Sequence, residues 1–436
     1  MIIKNRKYQA YTLRNFLDLP QVKSSLTSKE INEIRVVGNV LPFKVNNYIV
    51  DELIDWNDLP NDPVFHLTFP QKEMLSSLHF QKMENAINGS YTKSELKSFA
   101  NKIRYELNPH PAKQKDNIPA LGINKLSGIQ HKYNETVLFF PGNSQACHAY
   151  CTYCFRWPQF VGINELRFAM NETDLLIYYL KEHPEVTDIL FTGGDPLVMS
   201  AKNLKKYIDP LLEANLPNLQ NIRIGTKVLS YWPYRFIDDG DADDLLRLFE
   251  KIVNRGFHLA FMAHFSHPKE LKTTAVEIAI KKILSTGAVI RTQSPIMNHI
   301  NNSADIWVEM LNLQVKLGCI PYYMFVARDT GAQDYFSVTL ENTWNIFRDA
   351  YKQVSGIART IRGPIMSAYP GKLQILGVSE IANNKYFSLR FIQGRNPDWV
   401  GKPFFAKYNP DANWLTDLEP IEGQDRFFFE EGFKEK

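Results

Sequence analysis

The chain is poor in cysteine, nearly neutral and free of long apolar runs. It holds four cysteines in 436 residues, and three of them fall within 147–154. So few thiols, so unevenly spread, exclude a disulfide-stapled secreted scaffold and predict a reducing, cytoplasmic compartment. The net charge is +3, from 50 basic against 47 acidic residues. That balance predicts binding to neither nucleic acid nor an anionic membrane surface. No apolar run reaches about 18 residues, and the start, MIIKNRKYQAYTLRNF, is polar and basic, so neither a spanning helix nor a signal peptide is expected. Internal repeats and low-complexity tracts are missing too. What is present is an apolar fraction of 44%, enough for a sizeable core.

Residues 1–105 read as a helical region, with 3.6-residue spacing in SKEINEIRVVG and again over 93–107. A loop with Pro109, Pro111 and Pro119 follows. Strand-like runs then stand at 136–140, 188–192, 221–226, 258–265, 289–296 and 320–327. Helix-like stretches separate them at 171–183, 202–214, 241–255, 268–286, 303–317 and 338–353, with Asp241, Ser303 and Ser337 as expected caps. This alternation predicts an α/β fold with a parallel sheet, arranged as a partial (β/α)6 barrel over 106–375. Sites of such folds lie at the C-terminal strand ends. The last segment, 376–436, is rich in aromatics and loop formers and reads as a small β or irregular appendage.

Cys147, Cys151 and Cys154 spell C-x3-C-x2-C, and Cys319 lies far away. Three thiolates ligate three irons of a [4Fe–4S] cube and leave the fourth open, whereas electron-transfer clusters use four. A zinc ion would want a fourth Cys or His. The spacing matches the radical S-adenosylmethionine (SAM) superfamily, in which the open iron chelates SAM and one electron releases a 5'-deoxyadenosyl radical. FTGGDP (191–196) follows the next strand; alone it reads as a turn, and after such a cysteine loop it reads as the SAM-amine site, with Gly193, Gly194 and Asp195.

The chain resembles the lysine 2,3-aminomutase family over roughly 60–375. The resemblance rests on NDPVFHLTFP (61–70), GIQHKYNETVLFF (128–140), CHAYCTYCFR (147–156), RIGTK (223–227), HFSHP (264–268), QSPIMNHINNSADIW (293–307) and PYYMFVARDTGAQDYF (321–336). It implies SAM together with pyridoxal 5'-phosphate (PLP), held as an imine on a lysine, and migration of an amino group between C2 and C3. Lys372, after Tyr369–Pro370–Gly371, matches the PLP lysine, although the family's longer glycine run is missing. Lys132 and Tyr133 match the phosphate site, where Thr136 stands in place of a second arginine. Arg156 matches the arginine for the substrate carboxylate. His264 and Gln293 match positions beside SAM. Two aspartates grip the lysine ammonium in the family: Asp329 aligns with one, and the other falls near Ser367 or Tyr369, neither a carboxylate.

Two enzymatic readings follow. One is a SAM- and PLP-dependent amino-acid 2,3-aminomutase, an isomerase whose small-molecule substrate is a free amino acid other than lysine. The alternative is a PLP-independent radical SAM enzyme performing epimerisation, oxidation or modification of a peptide. The resemblance further implies a flavodoxin- or ferredoxin-type reductant and a homo-oligomer. A degenerate, non-catalytic relative is disfavoured by the intact cysteine loop.

Overall fold

The computed structural model describes residues 6–433. Its N-terminal region carries three longer helices: α1 (Ser28–Val40), α2 (Ser77–Asn88) and α3 (Lys93–Glu106). Two of them start on the T-x-x-E pattern. Thr27 and Glu30 close a reciprocal cap on α1, and Thr92 and Glu95 do so on α3, so orphan N–H groups at each start are satisfied. Between and around these helices the chain is irregular, with a short strand pair joining Ala10–Tyr11 to Val45–Asn46. Phe16, Val22, Tyr48 and Phe69 are fully buried in the same apolar core as Ile189, Ile222 and Phe261 of the sheet. Folding of residues 16–69 is therefore coupled to the sheet by shared apolar burial.

The sheet has eleven strands, each beside its neighbour in sequence. The first pair, β1 (Ile129–Tyr133) and β2 (Thr136–Phe139), is antiparallel. From β2 the strands run parallel through β3 (Asp188–Phe191), β4 (Asn221–Thr226), β5 (His258–His264), β6 (Val289–Ile296), β7 (Ile320–Val326) and β8 (Arg362–Ser367). The intervening helices are α4 (Thr173–Glu182), α5 (Ala201–Glu213), α6 (Ala242–Asn254), α7 (Thr274–Ser285), α8 (Ala304–Lys316) and α9 (Leu340–Gln353). All six strand runs read from the sequence form strands. β8 is additional: Gly363 and Pro364 break up its pattern.

Alternation along a strand separates two faces. In β4, Ile222 and Ile224 are fully buried in the core, while Arg223 and Gly225 face the cavity described below. Capping differs from expectation at two places. Thr339, not Ser337, caps α9, because Ser337 ends the short helix Gln333–Phe336. Asp241 precedes α6 but makes no side-chain cap; its carboxylate accepts from Arg235 and the Ala201 N–H instead. The expected helix over 268–286 divides into the turn Pro268–Leu271 and α7, which Thr273 caps.

Beyond β8 the sheet continues antiparallel through β9 (Gly371–Ile381), β10 (Asn384–Gly394) and β11 (Pro403–Lys407). Residue 375, the expected boundary, falls inside β9. The aromatic tail packs on this extension: Phe387, Phe391, Phe404, Trp414 and Phe427 form a separate apolar cluster. Among the described residues no helix is long and apolar enough to cross a membrane.

Candidate active site

The C-terminal ends of β2 to β8 open onto one cavity of about 360 Å³. The loop after β2 brings Cys147, Cys151 and Cys154 to its wall. The N-terminal region holds that loop in place through its backbone. Lys44 donates to the Cys147 carbonyl at 2.7 Å, and Tyr150 N–H donates to the Lys44 carbonyl at 2.8 Å. Thr152 N–H reaches the Leu67 carbonyl at 3.0 Å, and Tyr8 and Asn46 both donate to the His148 carbonyl. Lys44, Asn46 and Tyr8 were not anticipated, since nothing local marks a residue about a hundred positions away as a clamp.

Burial pushes all three thiols up, Cys154 to about 12, and the neighbouring thiols and Asp195 add to the rise at Cys147. Thiolates there require a cationic group among them. Among the described residues no three Cys, His, Asp or Glu side chains meet closely enough to hold a single metal ion. Three soft donors spread along one wall suit a larger, multi-iron group that takes one thiolate per iron. Cys319 is different: it is 4% exposed, packed in the core, and its thiol is pushed up to about 12 by burial alone.

The Gly193–Gly194–Asp195 turn packs directly on the cysteine loop. Gly194 N–H donates to the Ser144 carbonyl and Asp195 N–H to the Ala146 carbonyl, each at 2.8 Å. A Cβ on Gly194 would stand 2.3 Å from the Ala146 oxygen, so the close approach that demands glycine is between two loops. Gly193 has φ +149°, a conformation that favours glycine. The Asp195 carboxylate is spent within the protein. It accepts from Leu197 N–H (3.0 Å), Thr226 Oγ1 (2.7 and 2.9 Å) and Lys227 N–H (2.9 Å), and so ties the β3 loop to the β4 loop. It braces the site, and its bonds leave little capacity for an outside amine.

His264 at the end of β5 and Gln293 within β6 pair in the parallel ladder, with Gln293 Nε2 2.7 Å from His264 Nε2. Burial, then the charges of Lys227 and Arg156, lower the imidazole to about 3. His264 is therefore neutral, with its Nε2 within hydrogen-bond distance of the Gln293 amide.

Lys372 sits in β9 and faces the cavity, its neighbours across the ladder being Ser367 and Gln393. Its Nζ donates to Gln393 Oε1 at 2.5 Å, and Gln393 Nε2 passes the contact on to Glu135 at 2.6 Å. The rings of Tyr323 and Tyr133 lie 4.9 and 5.2 Å from Nζ. Burial, then the charges of Arg223 and Arg362, lower this amine to about 7. Such an amine is substantially neutral and nucleophilic near neutral pH. The shortened loop thus delivers the lysine on a strand. Gln393 was missed because it lies on the next hairpin arm.

Lys132 donates to the Ala368 carbonyl, and its pKa falls well below the usual value through burial and the charges of Arg328, Arg395 and Lys372. Thr136 is buried and lines the cavity without a charge. A cavity-lining lysine held at such a lowered pKa is a donor that a phosphate would relieve. Arg156 is 9% exposed and uses Nη1 on Thr192 Oγ1 (3.0 Å) and the Gly193 carbonyl (2.9 Å), while its buried Nε has no partner among the described residues.

Asp329, matched to an ammonium-binding aspartate of the family, points elsewhere. Its carboxylate turns to Asn108 Nδ2 at 3.2 Å and does not line the cavity. Arg328 lines the cavity instead, donating to Ser367 Oγ at 2.9 Å. A one-residue offset past the end of β7 decides which charge faces inward.

Fold and site together define an α/β protein with three clustered thiols and a half-buried, low-pKa lysine around one cavity at the C-terminal edge of a parallel sheet. Over 410 residues the chain is 30% identical to a protein of Aquifex aeolicus provisionally named L-lysine 2,3-aminomutase, covering 94% of this chain and 96% of that one. It is 26% identical over 349 residues to the L-lysine 2,3-aminomutase of Bacillus subtilis, covering 80% of this chain and 63% of that one. The chain belongs to the lysine 2,3-aminomutase family. No protein-family model matches it. A solved structure of Streptococcus suis SuiB bound to S-adenosylmethionine is 13% identical with a TM-score of 0.35, covering 63% of this chain and 58% of that one, a likeness too low to carry an argument.

Proposed function

We propose that this chain is a radical SAM enzyme that binds a [4Fe–4S] cluster, SAM and PLP and moves the amino group of an α-amino acid other than lysine between C2 and C3. The observation that supports this most is that three thiols and an amine lowered to about 7 open into the same cavity. The cavity also argues for curvature of the parallel strands into a partial (β/α)6 barrel. Seven strand ends laid flat would spread over roughly 30 Å, too far to share one pocket.

When bound, these groups supply a hydrogen-abstracting carbon radical and a π system across which nitrogen migrates. The chain's own residues do the rest. Cys147, Cys151 and Cys154 hold three irons, with Lys44 and the N-terminal backbone fixing their loop. Asp195 and the two glycines keep the neighbouring loop tight against it. Gln293 and neutral His264 offer oriented polar groups at the SAM side. Lys372 binds PLP through an amine that needs little deprotonation, held in place by Gln393. Lys132 with Tyr133 faces the phosphate, and Arg156 faces the substrate carboxylate. The one-electron demand is met by a flavodoxin- or ferredoxin-type donor. Within this reading 1–105, 106–375 and 376–436 remain the proposed divisions, with the last contributing Gln393 to the site.

Uncharged Thr136 favours the alternative, a PLP-independent radical SAM enzyme acting on a peptide or other substrate. One anaerobic assay with SAM, PLP and reductant separates the two. Formation of a β-amino acid coupled to 5'-deoxyadenosine supports the aminomutase. Uncoupled 5'-deoxyadenosine with every free amino acid supports the alternative.

A further inference from the structure

The cavity wall holds six basic side chains: Lys132, Arg156, Arg223, Lys227, Arg328 and Lys372. Two are already paired, Arg223 with Asp188 and Lys227 with Glu270, each at 2.7 Å. One carboxylate, Asp195, stands on the wall, and its oxygens are occupied by protein donors. On the reading above, Lys372 and Lys132 answer to PLP and Arg156 to the substrate's α-carboxylate. Arg328 is left over. Among the described residues no ion pair involves it, and its one hydrogen bond goes to the Ser367 hydroxyl. The neighbouring Asp329 charge supports the Arg328 guanidinium from behind, but that carboxylate does not line the cavity, so on the cavity side the cation meets no anion unless a ligand supplies one.

Its position says which part of the ligand that would be. The guanidinium carbons of Arg156 and Arg328 lie 5.3 and 4.4 Å from the centre of the same Phe155 ring. Two cations thus lie against one aromatic ring, close enough for the two ends of a single small molecule. A substrate with a side-chain ammonium would add a further cation where no free carboxylate waits. A planar fork such as Arg328 instead matches a carboxylate.

We infer that Arg328 is a specificity-determining residue that receives the side-chain carboxylate of the substrate, and that the amino acid turned over is a dicarboxylic one of the aspartate or glutamate kind. This rests on the assignment of Arg156 to the α-carboxylate. Ser367 is the positioning residue, holding one Nη so that the remaining N–H groups face the cavity.

The test is equilibrium binding of L-glutamate, L-aspartate, L-glutamine, L-asparagine and L-lysine to the anaerobic, cofactor-loaded protein, read beside 5'-deoxyadenosine formation. An acid is expected to bind about 10- to 100-fold more tightly than its amide, with L-lysine weaker than either. Arg328→Gln should erase the acid-over-amide ratio, and Arg328→Asp should shift preference toward L-lysine. Equal binding of acid and amide, or tighter binding of L-lysine, would overturn the inference. So would an Arg328→Gln protein that loses PLP while keeping the acid-over-amide ratio, since Arg328 would then serve the cofactor phosphate. Absence of SAM cleavage with every amino acid overturns the underlying reading, a separate result that removes the inference with it.

Discussion

The two ends of the cavity are built by different means. At the cysteine end, loops from β2, β3 and β4 interlock through backbone hydrogen bonds and the Asp195 carboxylate, while His148 Nδ1 and Arg156 Nε have no partner among the described residues. Asp195 alone receives bonds from three residues. At the lysine end, side chains come from β1, β7, β8, β9 and β10, and Lys132, Arg328 and Lys372 crowd together without acids of their own on the wall. The first end is a finished scaffold that needs a cationic group among its thiols. The second is an excess of positive charge that needs anions. Binding energy at the lysine end is therefore electrostatic and tunable by single substitutions, whereas the cysteine end tolerates little change in shape.

The sharpest break of this comparison is at the thiols. Cys151→Ala should abolish reductive SAM cleavage, and Cys319→Ala, in the core, should retain it. Iron content and 5'-deoxyadenosine after anaerobic reconstitution check both, and the reverse outcome would move the cluster. Next in size is Gly194→Ala. Its Cβ would meet the Ala146 carbonyl at 2.3 Å, so backbone must shift. An overpacking cost of about 1–3 kcal/mol is expected, read as a lower midpoint in denaturant together with weaker iron retention. Unchanged stability would mean that the two loops are free to separate. The smallest effect belongs to Asp329→Asn. The carboxylate faces Asn108 rather than the cavity, so amino-acid binding should change by less than about threefold. A hundredfold loss would put Asp329 back in the substrate site.

What was legible in the sequence follows the same division. Cys147, Cys151, Cys154 and the GGDP turn are contiguous, so their spacing carries their geometry, and strand–helix alternation fixed their place at one edge of a parallel sheet. Lys372 was singled out by a short motif despite the lost glycines, and the structure puts it on the cavity wall. The clamp by Lys44, the relay through Gln393 and the inward Arg328 were hidden. Lys44 and Gln393 act across more than twenty residues or across strands, where no local pattern records the contact. Arg328 and Asp329 adjoin each other, and only the exact turn after β7 decides which enters the cavity. β8 was hidden because Gly363 and Pro364 read as loop.

The central claim is that Lys372 is the cofactor-binding amine of the cavity that the thiols line. It is tested most directly by adding PLP to the anaerobic protein, reducing with borohydride and mapping the modified peptide, at pH 6 and pH 8. With an amine near 7, its neutral fraction rises about tenfold between those conditions, whereas an ordinary lysine stays almost wholly charged at both. The account predicts a single pyridoxyl group on Lys372, trapped several-fold more readily at pH 8, and absent in Lys372→Ala. Label spread over surface lysines, or a Lys372→Ala protein labelled as well as the parent, would contradict it.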